Sequence, residues 1–404
     1  VATSLQRNSA LEVDDLIWEN YVFRRGVAVE DLWDDMYADR KKNNRPMRLL
    51  YIAGRGFDVR AKDVISKYVE RLNASGCQIQ QATLLLIGFS GYQLSPELED
   101  LTSENASILE DIFGQIGKVE TYFIDETEDD EELNATIMLR LGAAKILNFL
   151  DDVTDIVLDV SSLPRIVYLT ILLSVLARIV PAATDQNQLT SHGVTFQVLV
   201  GEDPELDSKI AAQDPSNDLV LIPGYSEAFQ SEALRDMPMV WFPILGENRL
   251  AQVQKVESNI PDWAEICPVL PHPSKDPRRG DKLLTEYDNT LFAKRQTPLS
   301  NIIYAHEGHP FEVYRQLLEA MLRFRNTLSV IGGSRLVVTP LASKLITVGS
   351  ALACFEMKMR SVDSTSGVAI PYAEPKRYVV EVGALRSSKA DLSVLVLTGD
   401  PFQG

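Results

Sequence analysis

Apolar residues along this chain follow two alternating rhythms. Short runs rich in Leu, Ile and Val are separated by longer stretches in which apolar positions recur every three or four residues. Strands buried on both faces and the helices that cover them produce this alternation, so the pattern predicts an α/β fold with parallel sheets and helices on both faces. The strands it predicts are 48–54, 82–89, 119–125, 154–160, 194–201 and 218–223, followed by 239–246, 264–270, 300–305, 334–339, 367–373 and 391–398. Residues 166–180 form the most apolar run, but Arg178 interrupts it. It is shorter than the roughly 20 apolar residues of a membrane span and predicts a buried helix.

The two sets of strands share landmarks in one order. Tyr51-Ile52-Ala53-Gly54 corresponds to Pro243-Ile244-Leu245-Gly246, and Ile156-Val157-Leu158-Asp159 to Leu336-Val337-Val338-Thr339. Further along, Gly201-Glu202-Asp203-Pro204 corresponds to Ala373-Glu374-Pro375, and Asp218-Leu219 to Asp391-Leu392. The offset drifts slowly, from 192 positions at the first pair to 173 at the last. This predicts an internal duplication: a helical N-terminal arm over 1–46, then two tandem Rossmann-like halves over 47–232 and 233–404. The arm carries Trp18, Tyr21, Phe23, Trp33 and Tyr37, residues suited to docking on the body, a protein partner or a second copy of the chain. Open parallel sheets bind ligands beyond the carboxyl ends of their strands, so the expected site is a cleft between the halves.

Composition narrows the possible functions. The 404 residues are 45% hydrophobic and 24% charged, ordinary for a globular protein, with a net charge of −18. That field repels polyanions, so no stable binding to duplex nucleic acid is expected. Cys77, Cys267 and Cys354 are too few and too scattered for a disulfide framework or a zinc ribbon, which suggests a reducing, cytoplasmic setting. The first residues, Val-Ala-Thr-Ser-Leu-Gln-Arg, lack the pattern of a secretion signal, and no membrane association is expected.

The residues suited to chemistry cluster just after predicted strands. Gly54-Arg55-Gly56-Phe57-Asp58 follows the first strand, where glycines let backbone N–H groups approach a phosphate. It lacks the third glycine of the dinucleotide fingerprint. A tight turn is the alternative reading. Asp159 is followed by Ser161, Ser162 and Arg165 at the start of a helix, and Thr339 by Ser343 and Lys344 at the equivalent place. Hydroxyls and cations there suit an anion, or serve as ordinary helix caps. His272-Pro273-Ser274-Lys275-Asp276-Pro277-Arg278-Arg279 is the densest basic stretch, and Lys275, Arg278 and Arg279 are candidate phosphate contacts. Lys376 and Arg377 add charge beside Glu374. His306-Glu307-Gly308-His309 offers an acid–base pair, whereas its spacing departs from the zinc motif H-E-x-x-H and no metal is expected. Glu202 and Glu374 are duplicated carboxylates that could act as acid and base or hold a ribose hydroxyl. The acidic run 125–132 predicts a helix N-terminus. Nothing specifies a cofactor.

A strand ending in Asp or Thr, then Ser and Arg or Lys before a helix, as in Asp159-Val160-Ser161-Ser162-Leu163-Pro164-Arg165 and Thr339-Pro340-Leu341-Ala342-Ser343-Lys344, resembles the ligand loop of CARF domains and of SAVED sensors, which fuse two CARF-like halves. The likeness covers about 350 residues in layout and only these loops in residues. It implies a bacterial protein that binds a nucleotide or oligonucleotide signal between its halves, in a prokaryotic antiviral system. The expected glycines of the second loop are missing, and no nuclease or protease signature follows. An enzyme using His306, Glu307, Glu202 or Glu374, such as a nucleotide-dependent glycosyltransferase or nucleotide hydrolase, is the alternative, and a non-catalytic scaffold subunit is the third reading.

Overall fold

The computed structural model describes residues 16–124, 135–181, 188–190, 192–216, 218–361 and 366–402, so the acidic run 125–132 lies outside the described residues. The strands are β1 Val22–Arg25, β2 Met47–Gly54, β3 Ile79–Phe89, β4 Lys118–Ile124, β5 Asp155–Asp159, β6 Thr195–Glu202, β7 Ala211–Pro215 and β8 Val220–Ser226. They continue with β9 Met239–Ile244, β10 Glu265–Ile266, β11 Val269–Pro271, β12 Ile303–Ala305, β13 Ser334–Pro340, β14 Ser366–Tyr372, β15 Pro375–Val379 and β16 Asp391–Thr398. Every strand expected from the hydrophobic pattern is present. The stretch 264–270 is divided between β10 and β11, and β1, β7 and β15 were not foreseen.

Two sheets form, in the orders β1-β16-β6-β5-β2-β3-β4 and β12-β11-β9-β13-β14-β8, and β7 pairs with β15 in a separate ribbon. With the six expected strands of each half numbered in sequence, both sheets run 3-2-1-4-5-6. The sixth strand, however, belongs to the other half in each case. β16 pairs with β6, and β8 pairs with β14, both antiparallel, whereas strands one to five of each sheet run parallel. Sheet membership therefore does not follow the contiguous segments 47–232 and 233–404. A parallel strand on that edge would need a long crossover. The chain instead leaves β6 through the short helix Pro204–Lys209 and the ribbon strand β7, and crosses to the other sheet.

The apolar run at 166–180 is a core helix, Arg165–Ile179, with Ile166 to Leu173 all buried. It packs against its counterpart after β13, the helix Lys344–Met359, and one apolar core continues through both halves. Among the described residues no helix is long and apolar enough to cross a membrane.

The N-terminal lead contributes a strand as well as the expected helix. β1 extends the first sheet beside β16, and the helix Val27–Lys42 covers that sheet's outer face. Its aromatic residues pack on the chain's own body. Trp18 is 1% exposed and its indole N–H donates to the Leu397 carbonyl at 2.9 Å. Trp33 donates to Gln197 at 2.9 Å, and Tyr21 stacks on Phe311 at 4.6 Å.

Candidate functional site

The carboxyl ends of the parallel strands of both sheets face one cleft of about 1160 Å³. In each sheet the order reverses between strands one and four, the point at which neighbouring loops diverge and leave room for a ligand. The expected cleft between the halves is thus present, and loops after β2, β5 and β6 meet loops after β9, β13 and β14 across it.

The loop after strand one abuts the loop after strand four so closely in both halves that a side chain is excluded. A Cβ on Gly54 would lie 2.7 Å from the Ser162 backbone, and one on Gly246 would lie 2.5 Å from the Leu341 carbonyl. A Cβ on Gly56 would also meet the Ser162 carbonyl, at 2.8 Å. Ser162 Oγ donates to the Gly54 carbonyl at 2.8 Å, and Ser161 Oγ accepts from the Gly201 N–H at 2.9 Å. Asp159 accepts from the Tyr51 hydroxyl at 3.0 Å and Thr339 from the Trp241 indole at 2.9 Å. Asp159 and Thr339 are fully buried behind the cleft wall, and burial pushes the Asp159 carboxyl up to about 6. Ser343 caps its helix by accepting from the Ile346 N–H.

One side of the cleft is tied together by ion pairs. Asp58 binds Arg60 through both carboxylate oxygens, Arg60 reaches Asp207 at 2.8 Å, and Lys344 approaches Asp58 at 3.4 Å. Burial raises the Asp58 pKa, but the charges of Arg60 and Lys344 outweigh it and hold the group at about 2. Glu202 faces Arg25 at 3.5 Å, and burial outweighs that attraction, pushing its carboxyl up to about 7. Arg279 bridges Glu247 and Glu307, and Glu307 also accepts from the Lys275 N–H at 2.9 Å. Glu307 is therefore engaged on both oxygens, while His306 is exposed on the cleft wall and its Nδ1 accepts from the Gly308 N–H at 3.1 Å. The neighbouring His309 caps the helix Pro310–Leu328, and burial lowers its pKa. Among the described residues no three His, Cys, Asp or Glu side chains come together in a metal-binding group.

The other side is aromatic. The Arg165 guanidinium lies over the Tyr372 ring at 5.6 Å and donates to the Ala342 carbonyl at 2.6 Å, while its buried Nε and Nη1 close no hydrogen bond among the described residues. The Tyr378 ring lies 5.0 Å from Tyr92 and 6.0 Å from Phe57. Glu374, 7% exposed, stands behind this side and does not line the cleft; it accepts from the Tyr92 hydroxyl through one oxygen, its other oxygen has no partner among the described residues, and burial pushes its pKa up to about 8. At the rim Arg55 lies over Phe123 at 5.5 Å.

The remaining sequence candidates scatter. Lys275 is exposed on the cleft wall, and Arg278 is exposed and outside it. Lys376 and Arg377 lie on β15, also outside the wall, where Arg377 pairs across the ribbon with Gln213 at 2.8 Å and Asp214 at 3.3 Å. Sequence reasoning missed Arg25, Arg60, Asp207, Arg249, Tyr372 and Tyr378, all of which line the cleft. Arg249 could have been found, because it follows Gly246 in the loop equivalent to Gly54-Arg55. Arg25 could not, because it reaches the cleft only by the pairing of β1 with β16.

What the fold and cleft define is a class: an α/β protein of two interlocked halves with a polar, aromatic cavity at their paired switch points. In comparison with known proteins, no family model and no curated protein sequence matches this chain.

Proposed function

We propose that this protein is a binding module for a phosphorylated ligand carrying aromatic rings, a nucleotide or short oligonucleotide, taken up in the cleft between its halves. The observation that carries the reading is the set Arg55, Arg165 and Arg249, cleft arginines with no ion pair among the described residues, interleaved with Phe123, Tyr372 and Tyr378. Arginine forks match phosphate oxygens, and aromatic faces stack on bases. A volume of about 1160 Å³ lies just above the roughly 300–1,000 Å³ of small-molecule pockets and leaves room for a mononucleotide or a larger ligand. The resemblance to CARF and SAVED sensors adds cyclic oligonucleotides to the candidate ligands and antiviral signalling to the possible setting.

A second reading, an enzyme acting on the same ligand class, is favoured by one observation. Glu202 stands on the cleft wall with its carboxyl raised to about 7, where it could both accept and release a proton near neutral pH. The two readings separate in one experiment. Thermal-shift screening against mononucleotides, nucleotide sugars and cyclic oligonucleotides identifies the ligand, and chromatography of the recovered ligand shows whether it is intact. A hit recovered unchanged supports the binding module. Consumption that stops in Glu202→Gln supports the enzyme, and no stabilisation by any of them rejects both.

A further inference from the structure

The wall of the cleft carries equivalent places of the two halves, one lobe around Lys344 and one around Arg165, and their chemistry differs. Each lobe sets a strand-end carboxylate of one half in the field of the cation that starts the central helix of the other: Glu202 with Lys344, and Glu374 with Arg165. In the Lys344 lobe the cations Lys344, Arg60 and Arg25 each already meet a carboxylate. Lys344 and Arg60 share Asp58, Arg60 also holds Asp207, and Arg25 holds Glu202. A ligand anion there would compete with charges fixed in place by the fold.

The Arg165 lobe is the opposite case. Arg165 and Arg249 make no ion pair among the described residues, and two buried nitrogens of Arg165 have no partner. The Tyr168 hydroxyl, on the cleft wall and 1% exposed, lies close enough to Arg165 to interact with it, but among the described residues it closes no hydrogen bond of good geometry. Glu374, buried behind this part of the wall and not lining it, has its carboxyl pushed up to about 8 by burial, so it neutralises little of the arginine charge at neutral pH. Buried donors without acceptors are unfavourable, and an anion in this lobe would supply the missing acceptors.

We propose that the ligand is asymmetric, with its anionic end in the lobe of Arg165 and Arg249 beside Tyr372 and Tyr378, and no second anion at Lys344. The inference rests on the cleft binding a phosphorylated ligand. It narrows that class to molecules whose charge is gathered at one end, such as a mononucleotide or a nucleoside diphosphate, and sets aside oligonucleotides, linear or cyclic, whose phosphodiesters spread charge along the molecule.

The test is calorimetric titration of the full chain with inorganic pyrophosphate, with AMP and with cyclic di-AMP, using wild type, Arg165→Met, Arg249→Gln and Lys344→Met. Pyrophosphate and AMP are expected to bind once per chain. Binding should weaken at least tenfold in either arginine variant and less than threefold in Lys344→Met, with cyclic di-AMP no tighter than AMP. Equal loss in Lys344→Met and Arg165→Met, or tenfold tighter cyclic di-AMP, would overturn the asymmetry and leave the nucleotide reading standing. Pyrophosphate binding in the expected pattern without AMP binding would keep the anion lobe and reject the nucleotide. Absence of binding by every probe rejects both. Should Arg165→Met fail to fold, Arg249→Gln decides, because among the described residues the Arg249 side chain makes no hydrogen bond to the opposite half.

Discussion

Arg165 and Lys344 clasp the two halves reciprocally. Arg165 donates to the Ala342 carbonyl of the second half at 2.6 Å, and Lys344 donates to the Ser161 carbonyl of the first at 2.5 Å. Each begins the central helix of its own half, so the clasp sits where those two helices start.

Breaking the clasp should cost stability. Lys344→Met removes a hydrogen bond from a charged donor, worth about 1.5–3 kcal/mol, whereas Arg165→Met also removes two buried nitrogens without hydrogen-bond partners among the described residues and should cost less. Chemical denaturation of both single variants and the double variant checks this. A double-variant loss that departs from the sum of the singles is expected, because both contacts brace one junction.

Mild acid should stabilise the protein. Burial raises the Asp155 and Asp159 carboxyls to about 6, Glu202 to about 7 and Glu374 to about 8. Between the ordinary carboxyl range and these values, the folded state holds protons that the unfolded state has released. Stability therefore falls as pH rises from about 4 to 8. Asp58 acts oppositely: held at about 2, it contributes stability above the ordinary carboxyl range that is lost as pH falls toward 2. Melting temperature against pH should peak in mild acid. Glu374→Gln should melt higher than wild type at pH 8 and match it near pH 5, by a few kcal/mol at most on the order of 1.4 kcal/mol per pKa unit. An unchanged slope in this variant rejects the assignment to Glu374.

Adjacent arginines in the basic loop should behave differently. Arg279→Ala strands Glu247 and Glu307, both partly buried, and should destabilise by about 3 kcal/mol. Arg278→Ala alters an exposed side chain and should fall within about 0.5 kcal/mol of wild type. Equal effects in urea melts would contradict the bridging role of Arg279.

Two glycines should tolerate no side chain. Gly54→Ala and Gly246→Ala force a methyl into backbone of the loop after strand four, and overpacking of this kind costs about 1–3 kcal/mol. Gly280→Ala, where a Cβ meets nothing within 4 Å, is the control and should be neutral or slightly stabilising because Gly280 lies in a helix. The expected order of unfolding midpoints is Gly280→Ala above both others.

The lead should be part of the folded body. Trp18→Ala removes a fully buried ring that touches Tyr314 and Phe355, and should cost about 3–5 kcal/mol. A lead that only docks on a partner would leave the melting temperature of the isolated chain unchanged.

Much of the fold was legible in the sequence because burial writes itself locally. Runs such as 48–54 and 334–339 are apolar on consecutive positions, as strands covered on both faces must be, and their landmarks repeat in order. The strand ends near Glu202 and Glu374 and the helix starts at Arg165 and Lys344 follow from that pattern, and so does the cleft. The short N-terminal strand at Val22–Arg25 escaped notice, since four residues beside a long polar helix carry too little periodicity to declare themselves.

The sequence by itself determined the strand-and-helix alternation, the duplicated order and the concentration of polar residues after strands, because each depends on the spacing of residues near one another in the chain. Which residues share a sheet, an ion pair or a lobe was decided only by tertiary structure. The exchange of β8 and β16 depends on edge pairing between segments far apart in sequence, and hydrophobicity does not encode the partner. Likewise, Arg279 and Arg165 are both arginines near strand ends; only their neighbours in space give one two carboxylates and leave the other unpaired against Tyr372.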